Sequence, residues 1–307
     1  MKLRELAFSD LCISVDCEAF LRGVPGQVGI LAPPEEVAPD LIGLHAVLSV
    51  AARERAEFSV RYDGVVYRVS SVSSQQGKWW VCRRGMARIP GISELGVAPN
   101  LADLMVSLAQ DRGLFLVTGL NSQGKSTTAA AMMASWLTTF GDMGVAIESP
   151  PEAPLEGPHG EAGWCFQIDA DGHELADALA LARRWRPKFA YLGEVTTPGM
   201  VSQALRAAGS QMAVVTTMYA ANVIDAAEGF AKMAEEVEGD NALNMLSDAL
   251  TMCIHQRLAG DDQRLVMDVL LPTRKPDDPI RAALKNGNFS ELEGHIRSTG
   301  AKRPAAD

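Results

Sequence analysis

The run Gly119-Leu120-Asn121-Ser122-Gln123-Gly124-Lys125-Ser126 satisfies G-x-x-x-x-G-K-[ST] and constrains the fold more than any other segment. The apolar stretch Leu114-Phe115-Leu116-Val117 precedes it, and an alanine-rich segment of helical composition follows. Strand, loop and helix in that order gather backbone N–H groups and a helix N-terminus around one concavity, which makes an anion cradle. Gly119 and Gly124 permit the tight wrap, and Asn121, Ser122, Gln123 and Thr127 are expected to complete the lining. Lys125 is placed to reach β- and γ-phosphates and the Ser126 hydroxyl to ligate Mg²⁺, so ATP with Mg²⁺ is the expected cofactor pair.

From about residue 100 onward, short apolar runs (145–147, 189–192, 213–215) alternate with helical segments. That alternation predicts a mostly parallel sheet covered on both faces. Residues 1–92 read differently. Val66–Val72 and Lys78–Arg84 alternate like strands, with Gln76-Gly77 as the expected turn. Leu41–Ala52 has helical spacing after a Pro33-Pro34 break. The fold class is therefore α/β, with a small α+β domain over 1–98 joined through a Pro- and Gly-marked hinge to a P-loop domain over 99–307. The segment Arg297–Asp307 reads as a mobile tail.

A phosphate cradle alone hydrolyses nothing, so hydrolysis calls for carboxylates at the carboxyl edge of the sheet, where open α/β folds bind ligands. Glu148 ends the run Val145-Ala146-Ile147, and Glu194 follows Tyr191-Leu192-Gly193.

Composition narrows the class. The 307 residues carry 28 basic and 38 acidic side chains, a formal charge of −10, with no block of five or six basic residues, which argues against a nucleic-acid partner. The same acidity predicts little pull toward anionic lipid, so any membrane association is expected to run through a protein platform. No apolar run suits a membrane span and the N-terminus lacks a leader pattern, so a cytoplasmic location is expected. Cys12, Cys17, Cys82, Cys165 and Cys253 include no C-x-x-C pair, and read as neutral thiols. Asp169, Asp171 and His173 beside Gly172 read as a solvated turn rather than a metal cage. Met132, Met133, Met233, Met245 and Met252 read as core, and Glu235–Asp240 as a solvated helix end.

Taken together, the loop at 119–128, then Ile147-Glu148-Ser149-Pro150-Pro151-Glu152, then Arg186-Pro187-Lys188-Phe189-Ala190-Tyr191-Leu192-Gly193-Glu194, resemble the secretion ATPase superfamily, most closely the PilT-like retraction ATPases of type IV pili. The resemblance covers nearly the whole chain. It implies an N-terminal PAS-like domain, a RecA-like ATPase domain and a hexameric ring working with an inner-membrane platform protein. By position, Glu148 matches the family's acidic box and Glu194 the Walker B glutamate, a water activator or an outer partner of Mg²⁺. Arg68 and Arg83, fifteen residues apart, match the N-terminal arginines that reach nucleotide phosphates; a guanidinium from another domain can neutralise charge that appears in the transition state. Pro279–Lys285 is similar to the family's A-I-R-N-L-I-R segment, although an amphipathic helix accounts for it equally well.

The sequence also departs from that pattern. Ser149 replaces the box aspartate, and Tyr219 stands where the histidine box has its histidine, offering a hydroxyl that carries no positive charge. Arg184 keeps one basic position before Walker B but Ala180 loses the other, while Arg186 and Lys188 flank Pro187 where the family is acidic. Two functions stay open: a ring-forming ATP-hydrolysing motor of a pilus, secretion or conjugation machine, and an ATP-binding assembly or regulatory subunit with little turnover. A small-molecule kinase is a third, disfavoured by the large N-terminal domain.

Overall fold

The computed structural model describes residues 1–52, 56–75, 77–86, 88–170, 175–260 and 264–299. Gln76, Asp171, Gly172, His173 and 300–307 lie outside the described residues. The chain divides into two compact units: Met1–Ile89 with Ser149–Pro154, and Pro90–Glu148 with the described residues from Leu155 onward.

In the first unit, β1 (Asp10–Ser14), β2 (Ala19–Arg22), β3 (Ile30–Leu31), β4 (Glu57–Tyr62), β5 (Val65–Ser74) and β6 (Gly77–Arg84) form one sheet in the order β3-β2-β1-β6-β5-β4. Every pairing is antiparallel. Helix α1 (Ala38–Ala51) buries Leu41, Leu44 and Leu48 at helical spacing against Leu11, Ile13, Tyr67, Val69 and Trp80. The alternation read at 66–72 and 78–84 is thus a hairpin, β5 on β6, within a larger sheet.

The second unit is built on a nine-stranded sheet. Its elements are α2 (Pro99–Ser107), β7 (Gly113–Gly119), α3 (Lys125–Phe140), β8 (Asp142–Glu148), β9 (Gly157–His159), β10 (Gly163–Asp169), α4 (Leu175–Ala182), β11 (Phe189–Glu194), α5 (Pro198–Gly209), β12 (Ala213–Tyr219), α6 (Val223–Glu238), α7 (Ala242–Ala249), β13 (Leu250–Ala259), β14 (Arg264–Leu270), α8 (Pro279–Asn286) and β15 (Arg297–Ser298). The strand order is β15-β14-β13-β7-β12-β11-β8-β10-β9. The six strands from β13 to β10 run parallel, and β14, β15 and β9 are antiparallel edges.

Side chains of β7 alternate between two cores, as strand geometry requires. Phe115 packs on Trp136 of α3, whereas Leu114 and Leu116 join residues of α4 to α8. Strand β13 escapes a reading by apolar runs because the buried polar pair His255 and Gln256 interrupts it. Met132, Met133 and Met252 are fully buried, and Met233 and Met245 pack at the core margin. The five cysteines are free thiols, and burial pushes those of Cys165 and Cys253 up to about 12.

Two expectations are corrected. Arg297 and Ser298, read as the start of a mobile tail, form β15 against β14, and Thr299 N–H donates to the Met267 carbonyl at 2.8 Å. Glu238, read as part of a solvated helix end, has a largely covered side chain that accepts from Arg206 Nε at 2.7 Å and from the Ser202 hydroxyl. An acid at a helix C-terminus opposes the macrodipole, and the guanidinium on α5 offsets that penalty.

Candidate functional site

Strand β7 ends at Gly119 and α3 starts at Lys125, so residues 120–124 form the loop between them. Helices α5, α6 and α8 are capped by the side chains of Thr197, Asn222 and Asp278. Helix α3 has no side-chain cap, since Gly124 precedes it at φ 80°. Its first N–H groups are left open for an external acceptor, which is the condition for anion binding at a helix start. Ser122 also lies in the left-handed region, at φ 61°, so the loop curls around its own backbone. Asn121 and Ser122 are exposed, and Gln123, Gly124, Ser126 and Thr127 are half-buried around the buried Lys125.

The Lys125 ammonium donates to the Leu120 carbonyl at 3.1 Å and lies 3.5 Å from Glu194 Oε1. Glu194 reaches this position from β11, two places along the sheet from β7. The pairing of β11 with β12 slips between Leu192 and Glu194, so Gly193 forms a bulge that re-aims the following side chain. The Thr216 hydroxyl donates to the Gly193 carbonyl at 2.8 Å, and Val195 N–H donates to the Thr217 carbonyl at 2.8 Å, fixing both sides of that bulge. The sequence-read pair Lys125 and Glu194 is therefore brought together. Glu148, at the end of β8, is buried and accepts from Gln167 Nε2 at 2.8 Å. Tyr219 is opposite Gly119 in register and is exposed.

Arg68 and Arg83 belong to the other compact unit. They face one another as a register pair on β5 and β6. Like charges directly opposite repel. Each has its own acid: Arg68 lies 3.4 Å from Glu152 and Arg83 lies 3.4 Å from Asp10.

Sequence reasoning missed Gln256. Its buried Nε2 donates to the Gln123 carbonyl at 2.6 Å, and the Gln123 side-chain oxygen accepts from Leu258 N–H at 2.7 Å. The two glutamines latch the loop onto β13. A Cβ on Gly119 would come within 2.5 Å of the Gln256 carbonyl, so this approach demands glycine. A polar residue inside an otherwise apolar strand was the available signal.

An uncapped helix start, a buried lysine and a strand-end carboxylate on a parallel sheet define a P-loop nucleotide-binding α/β protein. The chain belongs to the type II/IV secretion system protein family, whose pattern it matches over residues 52–273. It is 28% identical over 251 residues to the protein transport protein HofB homolog of Escherichia coli, covering 75% of this chain and 51% of that protein, so it spans about half that relative's length. It is 28% identical over 311 residues to the type IV pilus retraction ATPase PilT of Pseudomonas aeruginosa, covering 95% of this chain and 86% of that one. A solved structure of the pilus retraction motor PilT with bound ADP shares the fold, with a TM-score of 0.76 at 24% identity over 95% of this chain and 86% of that one.

Proposed function

We propose that this protein is a ring-forming, ATP-hydrolysing motor of a type IV pilus or a related secretion or conjugation machine. The observation that carries the reading is Lys125 held 3.5 Å from Glu194 at the uncapped start of α3. The Leu120 carbonyl and the Glu194 carboxylate now occupy the lysine's donors, and the β- and γ-phosphates of ATP take their place when nucleotide binds. Ser126, in the first turn of α3, would hold Mg²⁺, which would offset phosphate charge, and Asn121 to Thr127 would line the phosphates. Once released from Lys125, Glu194 would orient or deprotonate the attacking water, with help from Glu148. Arg68 and Arg83 approach the γ-phosphate from an N-terminal domain, taken as 1–98, of the same or a neighbouring subunit.

The six antiparallel strands with one helix inserted support the PAS-like reading of that domain, and the parallel sheet supports the RecA-like reading of 99–307. Six copies in a ring, docked on an inner-membrane platform protein from the cytoplasmic side, are the proposed assembly. No helix among the described residues is long and apolar enough to cross a membrane.

Glu194→Gln is expected to keep ATP binding and to lower steady-state phosphate release by about a hundredfold or more. Lys125→Ala is expected to weaken binding itself. Release by Glu194→Gln at the wild-type rate would remove Glu194 from the chemistry. Ser149 and Tyr219 support the second reading, an assembly subunit with little turnover; tight ATP binding with negligible release from the wild-type ring would establish it.

A further inference from the structure

Within the six residues Arg183-Arg184-Trp185-Arg186-Pro187-Lys188 lie four cations and a tryptophan, a local density that the overall charge of −10 conceals, so the weak pull toward anionic lipid expected from that overall charge does not describe this segment. In the fold this segment lies at the amino edge of the sheet, just before β11, and the phosphate loop lies at the carboxyl edge. Arg183, Arg186 and Lys188, with Ser210 and Gln211, line a recess of about 380 Å³. The ion pairs found among the described residues all involve other side chains. Lys188 instead stands 5.4 Å from the ring centres of Phe140 and Phe189. Arg186 is held at φ 55°, a conformation that a bulky side chain adopts only when its surroundings impose it.

Beside the recess runs an exposed aromatic ladder. Trp164 and Phe166 lie 6.2 Å apart on one face of β10, and Phe166 meets Trp185 at 6.2 Å. The three rings are 42–45% exposed, and Leu181 on α4 is 54% exposed. Neighbouring apolar side chains left in water on one corner mark a surface that is covered in use.

We propose that this corner docks onto an anionic lipid bilayer, with Arg183 and Arg186 on phosphate headgroups and Trp164, Phe166 and Trp185 at the headgroup–acyl boundary. Charge complementarity selects the occupant: unpaired arginines want phosphate, and amphipathic aromatic rings beside them want an interface rather than a dry core. A bilayer on this edge leaves the opposite edge open to nucleotide, so docking and ATP binding are compatible.

The test is co-sedimentation of the full chain with vesicles of phosphatidylcholine alone or with added phosphatidylglycerol, at low salt. Binding is expected only with phosphatidylglycerol, weakened as salt rises. Each arginine removed should weaken it roughly fivefold, hence roughly twenty-fivefold for Arg183→Ser with Arg186→Ser. Trp185→Ser should weaken binding at fixed lipid charge. ATP affinity, measured on each variant, reports that the fold is intact. Equal binding to both vesicle types, no binding to either, or an unaffected double variant would overturn the proposal. Displacement by inorganic phosphate at matched ionic strength would do so too, by assigning the recess to a free anion.

Discussion

At the scale of single residues, the latch between Gln123 and Gln256 makes a prediction separate from Glu194. Replacing Gln256 by leucine keeps the volume filled but leaves the Gln123 carbonyl without its 2.6 Å donor. A half-buried carbonyl stripped of its partner costs about 1 kcal/mol, and the loop can avoid that cost by shifting toward water. The N–H groups that define the cradle would shift with it. Gln256→Leu is therefore expected to raise the dissociation constant for ATP by about tenfold while phosphate release at saturating ATP falls less. Titration with a fluorescent nucleotide checks this, and an unchanged dissociation constant would leave Gln256 as packing. The residues that chemistry names directly, Lys125 and Glu194, were legible because motif and strand end are local patterns. Gln256 was not, because its partner lies 133 residues away and nothing near it in sequence marks the contact.

At the scale of elements, legibility followed periodicity. Strands β7, β8, β11 and β12 were readable as continuous apolar runs because both faces of a central parallel strand are buried. Strands β1 to β3 and β9 are short or half-covered, and β13 carries polar residues inward, so apolar runs alone could not reveal them. The junction of α5 and α6 was misread for a related reason: charge in sequence does not show which acid will be covered. There the Arg206 guanidinium first, and then the Ser202 hydroxyl, hold the Glu238 carboxyl below its ordinary value of 4.5. A carboxyl whose folded value is lowered contributes stability above the ordinary value and loses it as pH falls through the folded value. Glu238→Gln should thus cost about 1 kcal/mol at pH 7, a modest figure because Arg206 is half in water. Urea titrations should show the difference from wild type shrinking toward zero below the folded value. A difference independent of pH would mean that shape, not charge, is what the site needs.

At the scale of the whole molecule, the same chemistry explains why one copy should be a poor enzyme. The P-loop unit supplies the cradle, Lys125 and Glu194, yet among the described residues the ion partner of Lys125 is the same carboxylate that, on the proposed reading, must be freed for water. Arg68 and Arg83 are each paired with a carboxylate of their own unit, and the proposed role at a γ-phosphate requires them to leave those partners. Both guanidiniums are exposed, although Asp10 is buried, so on the proposed reading a triphosphate competes for the two arginines when a neighbouring subunit brings them within reach. Assembly should then depend on the nucleotide's charge. Light scattering with ATP and Mg²⁺ is expected to find a particle of roughly 200 kDa, six copies of a 32.9 kDa chain, and smaller species without nucleotide. Arg68→Ala and Arg83→Ala should each keep ATP affinity within about threefold but lower phosphate release per subunit by about tenfold or more, and most at concentrations where rings form. Per-subunit release that does not rise with protein concentration would show that hydrolysis needs no second copy, and would confine both arginines to the sheet they pair across.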